Sequence, residues 1–260
     1  MVITSKDNEI VKHIRKLKDK KYRDELGEFI IEGNKIIEEA VEEKAKIKML
    51  VVCEDCIKSE PIRKEVLYKI AKEKIVYVSE KIFKTLTDVS SPQGILAIVQ
   101  KLESNEIDFS KNLFLILDNI QDPGNMGTIL RTADSIALTQ IIVPKGNADC
   151  YNPKVVRSTM GAIFRVNVIE VSDLTKTIKE FKKHKIQILA TDLSTKNTIY
   201  DVNYNKSAII IGNEANGVSN EVLELADEKI KIPMIGKTES LNAAVSTGII
   251  LYHAIHSMNK

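Results

Sequence analysis

The sequence predicts an α/β protein in two parts, the second built on a parallel sheet. Strand and helix patterns alternate along almost the whole chain. In the C-terminal half, residues 115–138, 209–218 and 232–248 each pass from an apolar strand into a loop of Gly and small polar residues, then toward a helix. Loops of that kind gather beyond the carboxyl ends of parallel strands, where open α/β sheets bind ligands. The polar stretch 101–112, KLESNEIDFSKN, separates the two halves.

The N-terminal half opens on a basic segment whose Ile10, Ile14 and Leu17 recur at helical spacing. EFIIEG reads as a strand stopped by Gly33, and NKIIEEAVEE as a helix with Asn34 at its cap. IKMLVVCE is a strand, 61–72 a helix, IVYVS a strand, EKIFKTLTD a helix and GILAIVQ a closing strand. The C-terminal half restarts with the strand LFLIL. A helix over about 128–137 and the strand QIIVP follow, and 152–162 is a helix with Pro153 near its first turn. FRVNVIEV, IQILATD, AIIIG and KIKIP are strands. Helices are expected over 173–184, 220–226 and about 241–258.

Bulk properties narrow the function classes. A chain of 260 residues with 43% hydrophobic and 28% charged residues is an ordinary soluble globular protein of one large or two modest domains. The net charge of +2 says little, but its distribution says more: residues 6–23 hold eight Lys/Arg against three acids. The start has no secretory h-region, and no apolar run reaches the length of a membrane span. Three cysteines make no disulfide framework, so a reduced, cytoplasmic setting is expected. Cys53 and Cys56 form one C-x2-C with no second pair, and zinc needs four ligands, so no metal is expected. His253 and His256 read as surface residues of the last helix. No G-x-G-x-x-G opens either half, which argues against a dinucleotide site.

The three strand–loop–helix segments carry the chemistry. In DNIQDPGNMGTILRTA, Pro123-Gly124 is expected to turn, and Asn125 and Arg131 stand six residues apart. An Arg early in the helix can present two donors at once to a phosphate; the plainer alternative is a capping Asn and a surface Arg. In IGNEANGVS, Glu214 directly follows a buried strand. Such a carboxylate needs a partner, for which Arg131 is proposed, or else it is an exposed loop acid. In IPMIGKTESLNAAVSTG, Ser240 is placed to cap the last helix, whose free N–H groups face the loop. Ala243, Ala244, Ser246 and Gly248 make a small face for close packing.

Together and in this order, these segments resemble the three motifs of the SpoU (TrmH-type) RNA ribose 2′-O-methyltransferases of the SPOUT superfamily. The third commonly reads S-L-N-V-S-V-A. Here Ala243-Ala244 stand for Val-Ser and Ser246 for Ala, which puts in doubt a hydroxyl role at position 244. The resemblance implies an active site of Asn125, Arg131, Glu214, Ser240 and Asn242. It also implies backbone contacts from Gly212, Ile232 and Leu241 to the methyl donor S-adenosylmethionine. NPKVVRSTMG resembles a further family segment and offers Arg157 as an RNA contact, against the alternative of an exposed helix charge. FIIEGNKIIEEA resembles the substrate-binding domain found ahead of the catalytic domain, similar to ribosomal L30e and L7Ae proteins. Lys16, Lys20 and Arg23 of the basic segment would then track phosphates, unless that segment is simply a solvated helix face.

The implied division is an L30e-like domain over 1–104, a linker over 105–112 and a SpoU methyltransferase domain over 113–260. A deep trefoil knot near the C-terminus and a homodimer come with the resemblance. The implied activity is methyl transfer to a ribose 2′-hydroxyl of RNA, ribosomal RNA and its 23S component being favoured. A tRNA methyltransferase of the same fold, or a non-catalytic RNA-binding protein with a degenerate second half, remain the alternatives.

Overall fold

The computed structural model describes residues 2–53, 55, 69–103 and 106–259. The chain forms two compact units, Met1–Leu102 with Tyr151–Phe164, and Glu103–Cys150 with Arg165–Lys260.

The first unit begins with a short strand, β1 (Val2–Ile3), and two short helices, α1 (Glu9–Lys16) and α2 (Lys20–Leu26). The Asn8 side chain accepts from Ile10 N and starts α1; that of Asp19 accepts from Lys21 N and starts α2, which Gly27 ends in the left-handed conformation. The basic segment is therefore two capped helices. There follow β2 (Glu28–Glu32), α3 (Asn34–Glu42), β3 (Ile47–Val52), β4 (Ile75–Val78), α4 (Glu80–Leu86) and β5 (Ile95–Gln100). They form a mixed sheet of order β1-β4-β3-β5-β2, with β5 antiparallel to both neighbours. Of the residues read at helical spacing, Ile14 and Leu17 are buried, together with Val11, against Ile82, Phe83 and Leu86 of α4, while Ile10 is only half-buried beside them. Cys53, just past β3, is buried and disulfide-bonded, which a fully reduced chain did not anticipate. Cys56 and most of the helix expected over 61–72 lie outside the described residues.

In the second unit β6 (Leu113–Asp118) leads into α5 (Pro123–Ser135) and β7 (Gln140–Pro144). The stretch Tyr151–Phe164 then clusters with the first unit through α6 (Pro153–Thr159), and Phe29 of β2 meets the ring of Tyr151 at 4.8 Å between centroids. The second unit resumes with β8 (Asn167–Val171), α7 (Leu174–Lys183), β9 (Gln187–Thr191), β10 (Ser207–Gly212), α8 (Asn220–Leu223), β11 (Glu228–Ile230) and α9 (Ala243–Met258). All six strands are parallel, in the order β11-β9-β10-β6-β7-β8. The central strands β6 and β10 are buried at every position, which explains their unbroken apolar runs. They pair along their full length, so Asp118 and Gly212 end side by side. The loops that follow are thereby brought to one place, at the point where the chain's direction of travel across the sheet reverses.

Several expected boundaries shift for local reasons. The helix expected over 128–137 begins five residues earlier, because Asp122 accepts from Asn125 N and Pro123 occupies the first turn. Pro123-Gly124 is thus helical rather than a turn. The last helix is capped by Asn242, whose side chain accepts from Ala244 N and Val245 N, and not by Ser240. His253 is half-buried against the rings of Tyr200 and Tyr204.

Arg23 marks the largest departure in the first unit. Only 2% exposed, it donates from Nη1 to the Leu17 and Lys18 carbonyls at 2.8 Å each, closing the C-terminal end of α1. A buried guanidinium satisfied by backbone oxygens is not available to RNA, so its expected phosphate contact is withdrawn. Replacing Arg23 with Ala should lower unfolding free energy by about 2–3 kcal/mol, the scale of hydrogen bonds to a charged group. Urea denaturation of the variant checks this.

Candidate active site

Three loops meet beyond β6 and β10. The loop after β10 turns back on itself: Asn213 and Gly217 exchange backbone hydrogen bonds of 2.9 and 3.0 Å. That turn needs glycine at its base. A Cβ on Gly212 would fall 2.1 Å from the Gly217 carbon and the Val218 nitrogen, inside any tolerable contact. The Asn213 side chain organises the turn from within, accepting from Ala215 N and Asn216 N, and donates across to the Asn119 carbonyl at 2.9 Å.

Glu214 then crosses to the loop after β6. Its carboxylate accepts from Asn125 Nδ2 at 2.9 Å, Asp122 N at 3.2 Å and Gln121 N at 3.3 Å. The partner expected from sequence, Arg131, is not the one found. α5 starts early enough to turn the Asn125 amide toward the acid, and the backbone N–H groups of Gln121 and Asp122, just ahead of the helix, point the same way. Burial by itself raises the Glu214 carboxyl, but the Asn125 donor and the surrounding backbone N–H groups outweigh it and hold the group below its ordinary value. Asn125 is buried and passes the connection on: its Oδ1 accepts from Asn242 Nδ2 at 2.8 Å. One chain of side-chain hydrogen bonds, Glu214–Asn125–Asn242, therefore joins all three motif loops.

Beside this chain lies a cavity of about 300 Å³. Gly212 lies at its base, Ile232 and Leu241 line it, and Glu214 and Ser240 stand at its polar edge. Buried Ile211, Val218 and Ile230 supply apolar wall. The three residues expected at the donor site thus share one cavity. Arg131 is exposed on α5, with no ion pair or hydrogen bond among the described residues. Arg157, on α6 in the first unit, is half-buried near the carboxyl of Glu32 and lines a small pocket with it. Burial, the largest influence, raises the Glu32 carboxyl, and a hydrogen bond from Thr87 and the charge of Arg157 oppose it. Lys20 is paired with Asp24 at 2.7 Å, and Lys16 sits over the Tyr22 ring.

Residues 112–252 match the SpoU rRNA Methylase family, and residues 8–97 match the MRM3-like substrate binding domain. The chain belongs to the SpoU rRNA methylase family. Its relatives include the 23S rRNA (guanosine(2553)-2'-O)-methyltransferase RlmP of Bacillus subtilis, 32% identical over 96% of this chain and 98% of that one. Mitochondrial rRNA methyltransferase 3A of Danio rerio is 28% identical over 95% of this chain and 68% of its own. Among solved structures, the AdoMet-bound rRNA methyltransferase from Sinorhizobium meliloti aligns with a TM-score of 0.84 at 31% identity, covering 98% and 97% of the two chains. This SpoU protein is an S-adenosylmethionine-dependent RNA ribose 2′-O-methyltransferase.

Sequence reasoning missed Asn213 and Asn147. Asn147 accepts from Ile120 N and donates to the Leu117 and Pro144 carbonyls, tying the ends of β6 and β7 to each other. The bonds by which they join separate strands, from Asn213 to Asn119 and between Asn147 and both Leu117 and Ile120, reach backbone groups distant in sequence, so no local pattern announces them.

The direction of the Glu214 shift fixes a pH dependence. Its folded-state carboxyl is depressed, so its loop ties hold above the ordinary carboxyl value of about 4.3 and loosen only as pH falls through the lower folded value. Amide exchange at Gln121 and Asp122 is the readout. Protection should persist through neutral pH and fade in acid, and Glu214→Ala should show the fast exchange at every pH.

Proposed function

We propose that this enzyme methylates ribosomal RNA, most specifically the large-subunit RNA, as a cytoplasmic homodimer. The observation that carries the reading is the division of labour around α5. Asn125 is buried in the loop-tying network, and Arg131, on the same helix, keeps an exposed and uncommitted guanidinium. RNA as substrate follows the family and relatives, of which RlmP and the mitochondrial enzyme are named for rRNA.

The lining suits the methyl donor, with an apolar wall for the donor's base and hydrocarbon portions and backbone groups at Gly212, Ile232 and Leu241 to orient it. Bound there, S-adenosylmethionine supplies a methyl group on a positively charged sulfur. Arg131 gathers the phosphate next to the target nucleotide with its two-pronged donor and favours the ionised 2′-oxygen. A guanidinium stays protonated, so it is not the base; the 2′-proton leaves to phosphate or water. Ser240 and Asn242 shape the pocket, and Glu214 and Asn125 act by positioning its loops. Alignment of the 2′-oxygen with the transferred carbon supplies much of the rate. The three tied loops are the segments that would form the family's trefoil knot.

The dimer rests on α9. Val245, Ile249 and Tyr252 are 51%, 37% and 55% exposed at i, i+4 and i+7, an apolar stripe open on the surface of the unit. Sedimentation should give a dimer, and Ile249→Asp should give monomers; a monomeric parent protein would remove this part of the reading.

The activity is tested by mapping 2′-O-methylation of rRNA by mass spectrometry in cells with and without the gene. One methyl should vanish and return with the wild-type gene only. Arg131→Ala should lower turnover about 10²–10³-fold, the scale for losing one transition-state donor. Arg131→Lys should recover little of it, because a point charge lacks the fork. An unchanged rRNA and an altered tRNA would move the substrate to tRNA.

A further inference from the structure

Half of the basic residues that the sequence placed in 6–23 are committed within the unit. Lys12 pairs with Glu9 at 2.9 Å, Lys18 with Asp88 at 2.7 Å and Lys20 with Asp24 at 2.7 Å, while Arg23 is buried. A second concentration of lysines has no such partners among the described residues. At the end of α3 and the starts of β3 and β4, a groove of about 530 Å³ is lined by Lys44, Lys46, Lys48, Lys69 and Lys74. Its remaining lining is Gln100 and small or aliphatic side chains; among the described residues no acid and no aromatic ring lines it.

Local structure keeps these ammonium groups outward. Lys46 and Lys48 flank buried Ile47 at the entry to β3, so strand alternation turns both to solvent. Lys44 leaves α3 at a positive φ of 56° and is exposed. Lys74 Nζ donates to the Ile47 carbonyl at 3.0 Å, fixing one positive charge at the groove. Lys44, Lys46, Lys48 and Lys69 have no ion pair among the described residues.

We propose that this groove holds the sugar-phosphate backbone of the substrate RNA. Five lysines lining one groove, with no acid among its described lining residues, attract a polyanion, and each phosphate contact releases counterions. With lysines and no aromatic ring among its described lining residues, the groove offers charge for phosphates rather than faces for base stacking, so it binds backbone and positions the RNA without reading its sequence. The proposal rests on the RNA-methyltransferase reading and adds where the RNA is gripped.

The test uses the full-length protein and unmethylated large-subunit rRNA transcribed in vitro. The variant carries Lys46→Gln, Lys48→Gln and Lys69→Gln, all exposed positions, and a companion carries Arg at the same three. Affinity is measured along a potassium chloride titration, with thermal melting as the check on folding. The Gln variant should lose about 2–3 units from the slope of log K against log salt, and its KM for RNA should rise about tenfold or more, well beyond any change in kcat. The Arg companion should restore both. An unchanged slope and KM overturn the proposal, whether the groove then takes an acidic protein or nothing. If wild-type protein bound this RNA with a slope that the Gln variant lost, yet methylated none of it, the substrate assignment would fail and the groove would stand.

Discussion

Everything at the catalytic end of the second unit depends on one buried amide. Asn125 donates to Glu214 and accepts from Asn242, so it holds an element following β6, one following β10 and the start of α9 in a single hydrogen-bonded chain. An amide suits this position because it offers donor and acceptor at once. A carboxylate there would repel Glu214, and an apolar group would remove one of Glu214's donors and leave the Asn242 amide N–H without this acceptor in a partly buried setting. The same residue takes its place because Asp122 and Pro123 start α5 ahead of it.

The sheet makes that meeting possible. Full-length parallel pairing of β6 with β10 brings Asp118 level with Gly212, and backbone groups finish the arrangement: Asp118 accepts from Ser219 N at 2.8 Å, and Asn213 donates to Asn119. Gly212 has no room for a side chain because the returning turn lies against it. The close approach that forbids a Cβ also shapes the base of the cavity. Arg131, on the same helix as Asn125, is exposed with no ion pair or hydrogen bond among the described residues.

The first unit shows that counting charges is not the same as locating them. Eight basic residues in 6–23 read as one cationic surface. Folding converts Arg23 into an internal cap and pairs three of the lysines with acids, two of them within the helices and Lys18 with Asp88, seventy residues on. The lysines of the groove come from two stretches more than twenty residues apart, 44–48 and 69–74, that only the fold brings together.

The sequence by itself determined the architecture and the family. Unbroken apolar runs at 113–117 and 208–211 specified buried parallel strands, and the Gly- and Asn-rich segments after them carried a recognisable pattern. It also named the residues that gather at the site, since Asn125, Glu214, Asn242, Gly212, Ile232 and Leu241 do converge there. Which of them touch one another was decided only by tertiary structure. Glu214 bonds Asn125 rather than Arg131, and Asn242 rather than Ser240 caps α9, because hydrogen bonds are settled by atomic positions that strand register and helix start impose. The same holds for burial: whether an Arg faces solvent or closes a helix end depends on chain that packs over it, and residue type alone carries no record of that.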